Sequence, residues 1–279
     1  MSWLEALILG LVQGLTEFLP VSSSGHLEIG QALLGTASEE NLMFTVVLHV
    51  ATVLATIVVL RREIAHLFKG TFSTTEWNVD KQYVALLLLS CLPVFIVGVF
   101  FKDEVERLFG SGLLLVGICL MVTAGMLSLS EWLTKCRSER FSASCGDKGG
   151  HEVGWKDALI VGCAQAVAVL PGLSRSGMTI ATGLLCGVRK ESVARFSFLM
   201  VLIPVLGDAL LESLDLISGK ATAPAIGWLP LTVGFAAAFL SGCAACRWML
   251  AVVRRQKLTY FAVYCLAAGL FALVWHFAA

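Results

Sequence analysis

The clearest shortage in this sequence is charge. Lys, Arg, Asp and Glu make up 14% of the 279 residues, whereas a typical soluble domain has about 25%, and hydrophobic residues reach 57%. The mean hydropathy is +0.84. With only 20 basic and 20 acidic residues, a soluble globule of this size could not cover its surface. The composition therefore excludes an ordinary soluble enzyme and predicts an all-α integral membrane protein.

The sequence also lacks an excess of either charge, because its formal net charge is zero. Nucleic-acid-binding domains carry a strongly basic surface, so we expect no nucleic-acid partner. No Lys or Arg precedes the first apolar stretch and no small-residue cleavage site follows it, so we expect no signal peptide. The partners that this composition favours are membrane lipids.

Cysteine forms no recognisable metal or disulfide framework. There are nine cysteines, an odd number, and most lie in apolar runs where Cys behaves as a small buried hydrophobe. Cys243 and Cys246 have C-x-x-C spacing, but no second Cys or His pair lies nearby to complete a zinc site. The zinc-protease motif H-E-x-x-H is also missing.

Six apolar segments are long enough to cross a bilayer, which takes roughly 20 residues. They cover residues 42–60, 83–101, 112–133, 196–217, 225–246 and 258–277. The longest loops that we expect lie at 61–82 and 134–155, which leaves no extramembrane domain. We interpret Asp208 and Glu212, in the fourth span, as an interfacial acidic pair.

Two further apolar segments, 3–19 and 155–170, run into loops rich in Pro, Gly and Ser. A second short apolar piece follows each loop, at 27–35 and 178–188. This pattern predicts two re-entrant helical hairpins. Because non-helical backbone at membrane depth is tolerated only where protein or a water-filled cavity satisfies it, we expect the loops to mark a site.

An offset of 152 residues relates the two hairpins. The aligned identities are Gly10 with Gly162, Gln13 with Gln165, Ser22 with Ser174, Ser24 with Ser176 and Gly25 with Gly177. We therefore predict a single membrane domain, residues 1–279, made of two repeats, 1–134 and 153–279. Each repeat has one hairpin and three spans. Because three is odd, the repeats are expected to be inverted relative to the membrane, as in many transporters.

The basic residues predict the orientation. In this topology 16 of the 20 Lys and Arg residues lie on one side of the membrane, three lie on the other, and Arg175 lies inside the second hairpin. The positive-inside rule places the side with 16 in the cytoplasm. Both termini and the opening of the first hairpin are then expected on the outer side of the membrane.

The first loop region, residues 13–26, reads QGLTEFLPVSSSGH. Gln13 and Glu17 share one helix face, and a carboxylate in an apolar helix is a functional hypothesis by default. The serine run offers hydroxyls and backbone N–H groups at the start of the next helix, a geometry that binds anions. His26, beside this run, is expected to be functional as well.

The second loop region, residues 171–179, reads PGLSRSGMT. Arg175, flanked by serines, suits an oxyanion clamp because guanidinium binds phosphate oxygens bidentately. A pairing with Glu17 for packing alone would be a poor route to stability. Together the loops suit phosphoryl transfer, which needs positioning, charge neutralisation and a proton acceptor. Glu17 and the amide oxygen of Gln13 could hold a hard divalent cation.

Other interpretations stay open at this point. A serine intramembrane protease built on Ser24 and His26 is disfavoured, because these neighbours are poorly placed for contact and Arg175 would have no role. A transporter or lipid flippase built on the same inverted repeat is the alternative of a different class. His49, in the first full span, fits a cavity-lining residue and a core histidine equally well.

The segments 13–26 and 171–179 resemble the two signature motifs of the bacitracin-resistance type of undecaprenyl-diphosphate phosphatase. The length, the hydropathy and the repeat agree from end to end. The resemblance implies hydrolysis of undecaprenyl diphosphate to undecaprenyl phosphate and inorganic phosphate, which recycles the carrier lipid for peptidoglycan synthesis and confers bacitracin resistance. It also implies six spans with two re-entrant hairpins, a Mg²⁺ or Ca²⁺ requirement and, in many members, a homodimer. The membrane is then expected to be a bacterial inner membrane, whose outer side is periplasmic.

The resemblance also implies roles for individual residues. The implied catalytic residues are Glu17, Ser23, His26 and Arg175. The resemblance implies that Ser174, Ser176 and Thr179 bind the phosphate. The further candidates for substrate binding, from their place in the two loops, are Ser22, Ser24, Gly25 and Gly177. Glu17 and Gln13 are the implied metal ligands. Members of the family have Glu or Gln at the position of Gln13, and Gln is the weaker metal ligand of the two. Whether Ser23 or a water molecule attacks the phosphorus stays open.

Overall fold

The computed structural model describes residues 1–36, 42–73, 75–101, 104, 107, 112–142, 150–217, 226–254 and 258–278. Eleven α-helices lie within these ranges. They are α1 Trp3–Phe18, α2 Ser23–Leu34, α3 Leu42–Val59, α4 Arg61–Phe72, α5 Val79–Phe100, α6 Leu113–Ser142, α7 Trp155–Val167, α8 Arg175–Cys186, α9 Lys190–Ile217, α10 Trp228–Arg254 and α11 Leu258–Ala278. The same ranges contain no strand, only an isolated bridge between His151 and Val188.

Several of these helices can cross a membrane by their length and composition. Among the described residues these are α5, α6 over Leu113–Arg137, α10 over Trp228–Met249 and α11 over Leu258–Phe277. The pair α3 and α4, which meet at a bend of 72°, gives a fifth candidate. The protein is therefore a multi-pass membrane protein. The predicted fourth span lies within α9, but the side chains of Asp208 and Glu212 lie outside the described residues.

The outward faces of the candidate spans are apolar. On α5, Phe95 and Phe100 are among the large side chains left exposed, and on α11 Val263 and Val274 are exposed. Soluble monomers rarely expose contiguous apolar patches of this extent. Lipid is the environment in which such faces are stable.

The loops predicted at 61–82 and 134–155 are shorter than expected among the described residues, and residues 143–149 lie outside these. Residues Arg61–Phe72 form α4, and α6 continues to Ser142. Both segments contain Lys and Arg, which end an apolar run without ending a helix, since these residues have good helix propensity. Hydropathy alone therefore could not detect these helical turns.

The hairpin helices end where the sequence requires them to end. α1 stops at Phe18, because the residue before Pro20 is driven out of the helical region. α2 and α8 end on Gly35 and Gly187, which adopt the left-handed conformation with φ of 65° and 91°. These two glycines are also separated by 152 residues, the offset found between the hairpins.

The helices pack in crossed pairs. α1 lies along α10, α7 lies along α5, and α6 lies along α11. Small residues allow the close approach, since a Cβ on Gly10 would lie 2.9 Å from that of Ala237 and a Cβ on Gly162 would lie 2.9 Å from Cα of Ser90. Each hairpin is thus supported by a span from the other half of the chain.

Candidate active site

Each hairpin loop ends in a serine that caps the following helix. The Ser22 hydroxyl accepts from the Gly25 N–H at 3.3 Å, and the Ser174 hydroxyl accepts from the Gly177 N–H at 3.0 Å. Ser22 has φ of 70°, a left-handed conformation that few residues other than glycine adopt. The caps place the N-termini of α2 and α8, which carry partial positive charge, directly at the loops.

The two loops touch each other through reciprocal serine contacts. Ser24 Oγ accepts from the Gly172 N–H at 3.4 Å, and Ser176 Oγ donates to the Leu19 carbonyl oxygen at 3.2 Å. A Cβ on Gly25 would lie only 3.2 Å from Gly172 Cα. Two loops that are remote in sequence therefore form one polar centre.

Glu17 is the residue on which this centre converges. Its Oε2 accepts from Ser23 Oγ at 2.5 Å and from Gln13 Nε2 at 2.8 Å. Its Oε1 accepts from Arg175 Nη2 at 3.3 Å. The Glu17 side chain is only 10% exposed, so these contacts replace most of its hydration. The structure thus brings Gln13, Glu17 and Ser23 together with the arginine of the other hairpin.

His49 approaches Glu17 from α3, which answers a question that the sequence left open. Its Nε2 lies 4.0 Å from Glu17 Oε2, and its Nδ1 lies 2.8 Å from the Thr45 carbonyl oxygen. A carbonyl can only accept, so Nδ1 carries a proton in this contact. His49 therefore belongs to the site and not to the apolar core.

A small cavity of about 30 Å³ adjoins Glu17, enough for one or two water molecules. Polar groups from Glu17, Arg175 and Ser176 line it, together with Thr52 and Thr56 of α3. The two threonines escaped sequence reasoning. Their signal is a polar stripe at positions 49, 52 and 56 of an otherwise apolar helix, which places all three side chains on one face.

His26 has different neighbours from the other implied catalytic residues. Its Nδ1 lies 2.7 Å from the Ser22 carbonyl oxygen, and its Nε2 lies 2.8 Å from the Tyr264 hydroxyl. The two rings stack with centroids 5.4 Å apart. Tyr264, on α11, carries no sequence signal, because an aromatic residue in a membrane span is common.

Thr179 lies behind the loop and is fully buried. Its hydroxyl donates to the Arg175 carbonyl oxygen at 2.8 Å and lies 2.5 Å from Ser197 Oγ. The backbone N–H of Ser174 donates to Thr123 Oγ1 at 3.2 Å. These contacts fasten the second loop to α9 and α6, so they fix the backbone from which Arg175 projects.

The donor set around Glu17 fits a hard cation bound in part by its substrate. Gln13 Oε1 is buried and has no hydrogen-bond partner in the described part of the chain. With the Glu17 carboxylate it offers two kinds of oxygen ligand. No group of three His, Cys, Asp or Glu side chains suited to a metal is found among the described residues. One carboxylate and one amide oxygen suit Mg²⁺, which usually binds one or two carboxylates plus phosphate oxygens and water.

The two hairpins carry different chemical groups, although they share a backbone pattern. At the offset of 152, Val169 stands opposite Glu17, Met178 opposite His26 and Val201 opposite His49. Arg175 itself aligns with Ser23. The two loops therefore contribute unlike groups to one site instead of forming two equivalent sites.

Comparisons with known proteins show which family this chain resembles along nearly its whole length. A family model described as bacitracin resistance protein BacA matches residues 6–271. A protein of Bacteroides fragilis (strain YCH46) named undecaprenyl-diphosphatase is 56% identical over 274 residues, 98% of both chains. Proteins of the same name from Parabacteroides distasonis and Carboxydothermus hydrogenoformans are 55% and 38% identical. They cover 97% and 98% of this chain, and the matches include 97% of each relative.

Proposed function

Because the chain belongs to the BacA family of bacitracin resistance proteins, we propose that it hydrolyses undecaprenyl diphosphate to undecaprenyl phosphate and inorganic phosphate. This reaction recycles the carrier lipid for peptidoglycan synthesis and confers bacitracin resistance. The names of its relatives support this hydrolase over a transporter or flippase. The single observation that carries the proposal is the contact of Glu17 with Ser23 and with Arg175 of the other hairpin.

The roles of the residues follow from these contacts. Arg175 binds oxygens of the terminal phosphate through its guanidinium group. Ser23 already donates its hydroxyl to Glu17, so Glu17 takes the proton as Ser23 Oγ attacks the terminal phosphorus. The new O–P bond forms as the bond from that phosphorus to the bridging oxygen breaks, and undecaprenyl phosphate leaves. Water then releases inorganic phosphate from Ser23.

Direct attack by water is the second route, with Glu17 as the base in the same place. The two routes differ in one product that can be trapped. Rapid denaturation during turnover leaves phosphate bound to Ser23 in the first route and leaves none in the second. Ser23→Ala should therefore abolish turnover in the first route and retain part of it in the second.

We also propose a divalent cation, Mg²⁺ or Ca²⁺, held by the Glu17 carboxylate and by Gln13 Oε1. The support is that Gln13 Oε1 is buried without a partner among the described residues and belongs to a side chain that contacts a carboxylate. Gln165 Oε1 is also buried without such a partner, but Val169 stands where the first hairpin has Glu17. When bound, such a cation neutralises negative charge on the diphosphate oxygens.

The proposed architecture has six spans and two re-entrant hairpins, arranged as inverted repeats. The crossed pairing of α1 with α10 and of α7 with α5 supports it, as do Gly35 and Gly187 at one offset. In this arrangement α9 is the fourth span along the chain and brings the number of spans to six. The distribution of Lys and Arg favours a site that opens on the periplasmic side of the inner membrane. The homodimer stays a prediction.

The test is phosphate release from undecaprenyl diphosphate by the purified full-length protein, with Mg²⁺ or Ca²⁺ supplied. Glu17→Ala and Arg175→Ala should each lose about 3 kcal/mol of transition-state stabilisation and slow turnover roughly a hundredfold or more. Arg189→Ala is the matched control, because Arg189 pairs with Glu152 at the exposed surface. No release by the unmodified protein with either cation would overturn the enzyme proposal. Unchanged rates in both site variants would overturn the site.

A further inference from the structure

The imidazole of His26 is fixed from two sides by distant parts of the chain. Nδ1 faces the Ser22 carbonyl oxygen at 2.7 Å, and Nε2 faces the Tyr264 hydroxyl at 2.8 Å. Because a carbonyl oxygen can only accept, the ring proton of the neutral imidazole is on Nδ1. Nε2 is then the acceptor, and the Tyr264 hydroxyl donates to it.

The stacking of the two rings adds a second constraint. Their centroids lie 5.4 Å apart and their planes differ by 11°, so Tyr264 limits both the position and the rotation of the imidazole. The next residue, Cys265, is fully buried and donates its thiol to the Pro20 carbonyl oxygen at 3.4 Å. Two consecutive residues of α11 therefore dock on the first loop, one on its backbone and one on its histidine.

We propose that Tyr264 is a positioning residue of the phosphatase reaction, which holds His26 in one tautomer and one orientation. The inference rests on the proposed function and on the catalytic role that the family resemblance implies for His26. A tyrosine hydroxyl can donate to a neutral imidazole and accept from a protonated one. Tyr264 therefore keeps the ring oriented whether His26 has released or gained a proton. A carbonyl could not do this at Nε2, because it has no proton to donate.

An interfacial aromatic anchor is the competing explanation for Tyr264, which is 48% exposed on a membrane span. An anchor needs the ring but not a hydrogen bond to His26. Tyr264→Phe separates the two explanations, because it keeps the stacked ring and removes only the hydroxyl. Tyr260→Phe is the matched control, since Tyr260 lies one turn earlier on the same helix and is 67% exposed.

The first measurement is steady-state phosphate release from undecaprenyl diphosphate by the purified full-length variants. Tyr264→Phe should lower kcat roughly three- to tenfold, the range set by one lost hydrogen bond, with KM within about twofold. Tyr260→Phe should match the unmodified protein. An unchanged kcat in Tyr264→Phe, or an equal fall in both variants, would overturn the inference.

A double-mutant cycle tests whether Tyr264 acts through His26. His26→Ala should lower turnover, and adding Tyr264→Phe to it should lower turnover no further. A further fall by the factor seen in the single variant would mean that Tyr264 acts independently, and the inference would be wrong. Full activity in His26→Ala would remove His26 from the proposed site as well. A slow His26→Ala beside a fully active Tyr264→Phe would overturn this inference alone.

The tautomer itself can be observed by ¹⁵N NMR of histidine-labelled protein in detergent, with the His26 signals assigned from the spectrum of His26→Ala. The unmodified protein should show a proton-bearing Nδ1 and a proton-free Nε2 in neutral His26. Tyr264→Phe should add signals of the other tautomer. A proton on Nε2 in the unmodified neutral ring, or identical His26 signals in Tyr264→Phe, would contradict the positioning role.

Discussion

Arg175 Nη2 lies 3.3 Å from Glu17 Oε1, and this contact joins the two hairpins. The two residues are 158 positions apart in the sequence. Glu17 is 10% exposed and Arg175 24%, so both charges have lost much of their hydration. The desolvation cost of such a pair often exceeds its attraction, so stability is a weak reason to keep it. A charged substrate that uses both groups is the stronger reason, and the first prediction concerns the arginine.

Arg175→Lys keeps the positive charge and removes the planar fork of donors. If Arg175 binds phosphate oxygens bidentately, this change should slow turnover at least about tenfold, because a lysine acts only as a point charge. The melting temperature should change little, since the charge opposite Glu17 is kept. The measurements are phosphate release and thermal unfolding of the purified protein. Arg189→Lys at the exposed surface is the control, and turnover within twofold in both variants would contradict bidentate binding.

The second prediction concerns the loop backbone behind Arg175. Gly172 has φ of 88°, and a Cβ there would lie 2.7 Å from Cα of Val116. Gly172→Ala is therefore expected to destabilise the protein by about 1–3 kcal/mol from its conformation alone, with the clash adding to this. Backbone atoms of α6 cannot move aside as the end of a flexible side chain can. We expect the two hairpin loops to move apart in this variant. Both its phosphatase activity and its melting temperature should then be lower than those of the unmodified protein.

Gly98→Ala is the matched control for Gly172→Ala. Gly98 lies within α5, and an added Cβ would meet nothing within 4 Å. Alanine is favoured over glycine inside a helix by roughly 0.5–1 kcal/mol, so the control should be as stable as the unmodified protein or more stable. Equal losses of stability in the two variants would show that the close approach of Gly172 to α6 does not affect the free energy of unfolding.

The two helix–loop–helix segments were predictable because their signals are local. The segment expected at 3–19 is α1, Trp3–Phe18, and its end is set by Pro20 alone. The motif around Glu17 and the motif around Arg175 each predicted a site, and the family match confirms the resemblance on which their roles depended. The direct contact between Glu17 and Arg175 arises because the two loops meet in the fold.

The remaining parts of the site depend on contacts that leave no local pattern. Tyr264 reaches His26 across 238 residues, and nothing in the sequence around it distinguishes it from Tyr260. α4 was missed for a related reason, since hydropathy detects burial in lipid and not helix formation. The polar stripe at positions 49, 52 and 56 of the apolar helix α3 was detectable in the sequence, but the prediction did not use it.

The last prediction concerns Gln13, whose two ends have different environments. Its Nε2 donates to Glu17 at 2.8 Å, while its Oε1 is buried without a hydrogen-bond partner among the described residues. Gln13→Glu replaces the donor with a second carboxylate beside Glu17. Two carboxylates at this distance repel each other unless a cation lies between them. The variant should therefore bind Mg²⁺ more tightly and should need less Mg²⁺ for half of its own maximal rate.

The measurement is phosphate release as a function of free Mg²⁺, from chelated to saturating concentrations. Gln165→Glu is the matched control, because Gln165 is the equivalent and equally buried glutamine of the second hairpin, with Val169 where the first has Glu17. Its Mg²⁺ dependence should be that of the unmodified protein, whatever its effect on stability. A half-maximal concentration that is unchanged in Gln13→Glu would rule out Gln13 Oε1 as a ligand. The cation would then have to bind through the substrate phosphates, with Glu17 kept for the proton of Ser23.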